Sequence, residues 1–521
     1  MLGVNQPFTN LGHQESPSTH ALLAIQMSII VPFSNSAGCF SVVLESNTQP
    51  SYPQGMDSVS RRHFLARSSS VALGFAGLSA SLARGSTSSL LDALNLSDDD
   101  SVGFGPLIPD PAGILDLPAG FSYTIFSKTG QRMDDGFHVP GKHDAMGAFP
   151  FINDDGSINP DRTVIVRNHE IEDAHTTTGP FKDQEAFDRI DRSKVYDLGY
   201  GRPSRGGTTT LIYNTKLQTL EQHWLSLAGT ERNCAGGITP RNTWLTCEET
   251  AAVKGDRFEQ DHGFVFEVPA TTSPSLADPK PIKAMGRFMH EACCTDPKTG
   301  IVYMTEDRHD GLIYRYIPND PDDLHAGGAL EALSIVGHPS LDTRNWDTQR
   351  IKVGQRFPIR WVSLDDILAP KDDLRYRGFN DGAARFARGE GMWWGKNSPY
   401  FAATTGGKTY SGQLWHIIPS DDGLHDLLEL FIEPNDPSVL ERADNITFSP
   451  WGDIVVCEDE NKPPNLVGVT MEGKLYRIAR NAANNSEFAG AVFSPDGSTL
   501  FVNLQNPGWT LAIDGPWKKP S

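Results

Sequence analysis

Several of the commonest catalytic signatures are missing from this chain. No Gly-x-Ser-x-Gly elbow occurs, and no His-Glu-x-x-His pair, since His290-Glu291 is followed by Ala-Cys-Cys. Gly406-Gly407-Lys408-Thr409 ends like a phosphate-binding loop, but residue 402 is alanine where the leading glycine belongs, and a strand is expected to follow. No dinucleotide fingerprint opens a helix after a strand. Covalent serine chemistry and nucleotide-driven chemistry are therefore poorly supported. Basic residues are in the minority, 45 Lys and Arg against 65 Asp and Glu, for a formal charge of −20. That balance argues against nucleic acid and anionic membranes as partners. Long apolar runs are absent too: Ala21–Phe33 is too short to span a bilayer, as is the Gly- and Ser-broken run from Val71 to Leu82. Cysteine is scarce. Beyond Cys39 there remain Cys234, Cys247, Cys293, Cys294 and Cys457, an odd set that leaves at least one thiol unpaired in an oxidising compartment.

What is present is a recurring acidic hairpin. Asp444–Asp459 reads as two short apolar strands around a Ser-Pro-Trp-Gly turn, with Asp444 and Asn445 brought beside Glu458 and Asp459. Cys234 opens a similar unit that closes at Glu249, and Glu291 one that closes at Glu306 and Asp307. Glu390 opens a unit closing near Thr404 and Thr405, and Glu487 one closing near Asn503 and Gln505. A looser copy closes at Asn168, His169 and Glu170. Further alternating strands follow several of these, as in Gly-Phe-Val-Phe-Glu-Val-Pro and Gly-Leu-Ile-Tyr-Arg-Tyr-Ile-Pro. Repeats of this size, built from short strands, indicate a propeller or solenoid. Blades around one axis would bring the acidic ends into a single channel. Carboxylates so crowded raise one another's pKa, and bound cations are the simplest relief. The expectation is an all-β, metal-centred β-propeller, with loop or short-helix insertions at Ile171–Arg202 and Asn319–Phe357.

Cys234 stands where other units carry Glu or Asp, so it is either a soft ligand favouring a transition metal such as iron or a plain core thiol. Arg388 lies two residues before Glu390, on the same side of an extended segment; its fork suits either a phosphate or the neighbouring carboxylate. Arg287 and His290 stand similarly before Glu291; His143 and Asp144 either line a channel mouth or, the preferred reading, belong to a surface loop.

The N-terminus reads as an address. Ser60-Arg61-Arg62-His63-Phe64-Leu65 matches a twin-arginine export signal, with Met56 just ahead and a small-residue site near Ala83. The expected division is a doubtful leader over 1–55, read as upstream translation, a signal peptide over 56–84, a linker over 85–104 and a propeller over 105–521. The expected location is periplasmic or secreted, reached through the twin-arginine translocase.

Arg-Asn-His-Glu at 167–170, Gly-Gly-Thr-Thr-Thr at 206–210, Arg-Asn-Cys-Ala-Gly-Gly at 232–237 and Thr-Trp-Leu-Thr-Cys-Glu-Glu at 243–249 resemble the PhoX family of alkaline phosphatases. So do Gly-Arg-Phe-Met-His-Glu at 286–291, Thr-Glu-Asp at 305–307, Phe-Ala-Arg-Gly-Glu-Gly at 386–391 and the closing segment 493–503. The resemblance implies a six-bladed propeller that hydrolyses phosphomonoesters with two Fe3+ and three Ca2+ ions. It implies Cys234, Glu249, Glu291 and Glu390 as iron ligands, and Glu170, Glu306, Asp444, Glu458 and Asp459 as further metal ligands. It gives Arg388 a phosphate contact and, with Glu390, a place in catalysis. A monomer acting on small phosphate esters is expected, with no stable membrane span. Two other readings compete: a calcium-dependent propeller hydrolase such as a lactonase, and an exported binding module that uses calcium for stability alone.

Overall fold

The computed structural model describes residues 102–518, apart from 173–178, 182–183, 422–424 and 460–461. The twin-arginine segment and everything else before residue 102 lie outside the described residues. Within them the chain is all-β and propeller-like, with two short α-helices, α1 (Gln184–Asp188) and α2 (Leu374–Asn380). No helix among the described residues is long and apolar enough to cross a membrane. The Asn319–Phe357 stretch is not a plain loop. Its segment Gly328–Ile335 is a mostly apolar strand that pairs antiparallel with Ile313–Pro318.

Six antiparallel hairpins carry the architecture. They are His143–Ile152 with Ile158–His169, Asn233–Ile238 with Thr243–Glu248, and His290–Thr295 with Val302–Glu306. The others are Gly389–Trp394 with Pro399–Ala403, Ala443–Phe448 with Ile454–Glu458, and Phe488–Phe493 with Thr499–Leu504. Their turns are closed by side chains that prefer bends. Ser449 N donates to Asp453 O while Asp453 N donates back to Ser449 Oγ, and Gly452 supplies the positive φ of 96°.

The leading strands of the hairpins lie side by side in sequence order, and the sixth returns to pack on the first. The hairpins extend outward into five hydrogen-bonded sheets rather than six separate ones. The reason is Arg356–Ser363, which pairs with Gly328–Ile335 on one side and Leu427–Ile432 on the other, fusing the third and fourth units into a nine-stranded sheet. The N-terminal strands close the arrangement: Leu115–Pro118 pairs with Leu475–Asn481, and Ser122–Lys128 with Trp509–Asp514. Large apolar side chains, Trp224, Trp244, Phe266, Phe386 and Trp415 among them, are buried between neighbouring sheets.

Along the axis the packing is of small residues. A Cβ on Gly391 would fall 2.6 Å from the Asp444 carbonyl oxygen and the Asn445 Cα, so only glycine lets these two strands approach. Ala145, Ala235, Ala292, Gly391, Asn445 and Gly490 line a cavity of about 20 Å³ that closes the channel there. Every leading strand also carries a bulge just before this level: its pairing register shifts after His143, Asn233, His290, Gly389, Ala443 and Ala489. A bulge re-aims the side chain beside it. Here that residue is Asp144, Cys234, Glu291, Glu390 or Asp444 in the first five hairpins.

Candidate metal centre

Each hairpin end is fixed by the same backbone bond. The N–H of the residue just after the second strand, Glu170, Glu249, Asp307, Thr404, Asp459 or Gln505, donates to the carbonyl of Lys142, Arg232, Met289, Arg388, Arg442 or Glu487 respectively. In the first five hairpins the accepting residue stands two before the bulged one; in the sixth, Glu487 stands three before Gly490. The bond therefore sets the second-strand side chain next to the re-aimed side chain of the first strand.

The bulge carbonyls left out of the ladder are satisfied by the neighbouring hairpin. Asn168 Nδ2 donates to Cys234 O and Ala235 O at 3.0 and 2.8 Å, with its own oxygen held by Trp244 Nε1. Thr305 Oγ1 donates to Glu390 O, and Asn503 Nδ2 to Asp144 O, each at 2.6 Å. The polar residues inside these strands thus hold the ligand-bearing backbone of the next unit.

Three sets of donor atoms converge, each within 4.8 Å: Glu170, Cys234 and Glu249; Glu291, Glu390 and Asp444; and Asp444, Asp459 and Glu487. Burial, then mutual repulsion, pushes the carboxyl groups of Glu249, Glu291, Glu390, Asp444, Glu487 and Asp144 well above the ordinary range. The Cys234 thiol is raised by burial and by Asp144 and Glu291. Both oxygens of Glu291 are buried at 0% exposure and, apart from that weak thiol, have no hydrogen-bond donor. A buried carboxylate without a donor is costly unless a cation faces it. Hard oxygens with one soft sulfur make a donor set that fits several cations, one of them a transition metal.

Two guanidiniums stand over the acids. Arg388 reaches Asp307 Oδ1 at 2.7 Å and Glu390 Oε1 at 2.7 Å; Glu390 first, then Asp307, hold its charge. Arg232 spans Glu170 at 2.9 Å and Glu249 at 3.1 Å, and although burial opposes its charge these two carboxylates sustain it. Both are left-handed, with φ of 57° and 51°. Lys142 and Arg442 take the same conformation at the same place in their hairpins, and Lys142 Nζ donates to Gln505 Oε1.

Of the residues expected as ligands, Glu170, Cys234, Glu249, Glu291, Glu390, Asp444 and Asp459 meet in these groups. Glu306 and Glu458 do not. Glu306 Oε2 accepts from Leu312 N and Tyr314 Oη, and Glu458 Oε2 from Asn465 N and Nδ2. Each lies one residue before the channel position, so alternation along the strand turns it toward its own sheet. Burial raises the Glu306 carboxyl to about 7. Three acids that sequence reasoning left out of the ligand set lie at the channel: Asp144, Asp307 and Glu487. Asp144 is not a surface-loop residue; it is 3% exposed and accepts from Gln505 Nε2. Arg232 was overlooked as well, although it precedes Cys234 by the spacing that flagged Arg388 before Glu390. Arg287 and His290 face away from the channel, Arg287 to the carbonyls of Ala251, Ala252, His262 and Ala369.

Residues 102–508 match the family described as alkaline phosphatase PhoX. The chain belongs to that family. It is a phosphatase of the phosphoric monoester hydrolase class, and the PhoX family is metal-dependent. Among solved structures it is similar to Pseudomonas fluorescens PhoX in complex with vanadate, a transition state analogue, at 15% identity and a TM-score of 0.56, over 79% of this chain and 97% of that one. This likeness to PhoX supports the all-β, propeller-like fold. Gluconolactonase XC5397 from Xanthomonas campestris aligns at 11% identity over 79% of this chain and 98% of that one, with a TM-score of only 0.33. No curated protein matches the chain in sequence.

Proposed function

We propose that this phosphatase is a six-bladed propeller whose channel holds Fe3+ and Ca2+ and that it releases phosphate from small esters. The ring of six leading strands, each with its bulged residue, supports the blade count despite the fused sheet. Cys234, with Glu249, Glu291 and Glu390, would hold iron; Glu170, Asp444 and Asp459, with Asp144, Asp307 and Glu487, would hold calcium. When bound, these ions would supply Lewis-acid activation of the nucleophile and neutralise charge on the phosphoryl group.

The chain's own residues do the rest. Arg388 presents two N–H groups to acid oxygens, a fork that fits a phosphoryl group in the same way. The left-handed backbone at Arg388 is held on both sides, its N–H on Arg308 O and its carbonyl under Thr404 N, so the guanidinium is pre-aimed. The small-residue floor closes the channel beneath, and substrate enters from the hairpin-end face. No serine or cysteine phosphoenzyme is needed. The observation that carries this reading is the meeting of Cys234 with buried, donor-poor carboxylates beneath Arg388. A calcium lactonase gives no use to either Cys234 or Arg388.

Metal analysis paired with p-nitrophenyl phosphate hydrolysis, with and without chelator, tests it. Iron with calcium, and alkaline activity lost in Cys234→Ala, is the expected result. Calcium alone with no phosphatase activity in a folded, metal-replete sample sinks it. We also infer export by the twin-arginine route from Ser60–Leu65; the paired change Arg61→Lys and Arg62→Lys should leave the protein in the cytoplasm.

A further inference from the structure

The mouth of the channel carries an aromatic ledge on the Arg388 side. Trp346 is anchored by Nε1–H donation to Thr405 O at 2.6 Å, and Thr405 directly follows Thr404, whose N–H bonds to Arg388 O. One face of the indole is covered by Arg344, 3.9 Å from the ring centre. Tyr410 lies 5.5 Å from the indole at an interplanar angle of 44°, and His309 at 6.1 Å. His309 is two residues from Asp307, the other partner of Arg388, and its carbonyl accepts from Arg344. The ledge is therefore tied to both residues that flank the Arg388 guanidinium.

Tyr410 is unusual in two ways. It is 50% exposed, and it holds a left-handed φ of 58°, a conformation that costs a bulky residue free energy. Contact with Trp346 covers part of this strained ring, and half of it stays open to solvent. The loop is pinned all the same, with Tyr410 N bonded to Gly407 O and Gly407 N to Arg344 O. Rigid, half-exposed rings beside a charged anchor suit recognition of a flat apolar group.

We propose that Trp346, Tyr410 and His309 form a leaving-group subsite that favours phosphomonoesters whose alcohol carries a planar aromatic ring, a nucleobase or an aryl group. The inference rests on the phosphatase reading with Arg388 at the phosphoryl group. The ester oxygen then points out of the channel and the ring of the alcohol lies on the ledge.

Two substrate pairs test it, each matched in leaving-group acidity: a purine nucleoside 5′-phosphate against ribose 5-phosphate, and benzyl phosphate against cyclohexylmethyl phosphate. The holoenzyme should prefer the aromatic member by about tenfold in kcat/KM, mostly through KM. Tyr410→Ala and Trp346→Ala should bring the ratio near one, while Trp346→Phe keeps most of it. A preference in the nucleotide pair alone assigns the ledge to nucleobases, and one in both pairs to flat rings in general. Equal hydrolysis within both pairs overturns the ledge alone, as does a ratio untouched by Tyr410→Ala. A protein that hydrolyses none of the four esters overturns the phosphatase reading and the ledge together.

Discussion

Glu248 and Glu249 are neighbours in sequence and opposites in use. Glu249 reaches the channel beside Cys234, whereas Glu248 turns into its own sheet and accepts from Glu231 N, Gly263 N and Phe264 N and from His262 Nδ1. The same division separates Glu306 from Asp307 and Glu458 from Asp459. In each pair the first acid is held within its own sheet, Glu248 and Glu458 by several backbone amides and Glu306 by the Leu312 amide and the Tyr314 hydroxyl. The second has no such donors and faces a guanidinium or other acids. A donor-rich carboxylate is a strut, and a donor-poor one beside its like is a site for cations.

Breaking the strut should have the largest effect. Glu248→Ala strips three amides of their acceptor and leaves the buried His262 imidazolium with Asp197 alone, at 3.1 Å. The expected loss is about 3 to 5 kcal/mol of stability, read from urea unfolding. Glu249→Gln should do the reverse. Its unfolding midpoint in chelator should hold or rise, while phosphatase activity falls on the order of a hundredfold and iron content drops. If the two variants behaved alike, the division drawn between the neighbours would collapse.

Arg388→Lys keeps the charge and loses the fork that now spans Asp307 and Glu390. About tenfold lower kcat/KM with unchanged stability is expected, measured on a minimal ester. Removing the cations should then expose the acids as a pH effect. Their folded-state pKa values are raised, so the folded protein keeps protons that the unfolded chain releases. In chelator, melting temperature should therefore fall as pH climbs out of the ordinary carboxylate range, from about pH 4 upward, and added metal should flatten the slope.

The strut side carries the smallest signature, of the same sign but confined to the span above pH 6.5. Burial disfavours the His262 charge, but Glu248 and Asp197 outweigh it and raise the ring from 6.5 to about 10. Its contribution is complete below 6.5 and is lost as pH rises toward about 10. A modest decline in melting temperature over that span, absent in Glu248→Gln, is the expected result.

The hairpins were legible because their turns depend on Pro, Asp, Asn and Gly at mid-length, and because acids recurred at their open ends. The choice between adjacent acids was not legible. It depends on the bulge after residues such as Asn233 and His290, which shifts the register by an amount no local pattern announces. Asp144 was missed for the same reason: Gly141–Gly147 is polar enough to read as loop, yet His143–Ile152 is one continuous strand. The fused sheet also escaped notice, since Arg356–Ser363 pairs with a strand more than sixty residues later.

The last strand among the described residues, Trp509–Asp514, has Ser122–Lys128 as its outer neighbour, and Leu115–Pro118 seals the unit before it. The two ends of the described chain are therefore partners in one ring, and neither edge is paired until both are in place. No partial product can assemble the channel, because its walls come from segments between Asp144 and Gln505. The donor set is therefore a property of the closed ring and not of any one hairpin, so opening the ring at either end would scatter it.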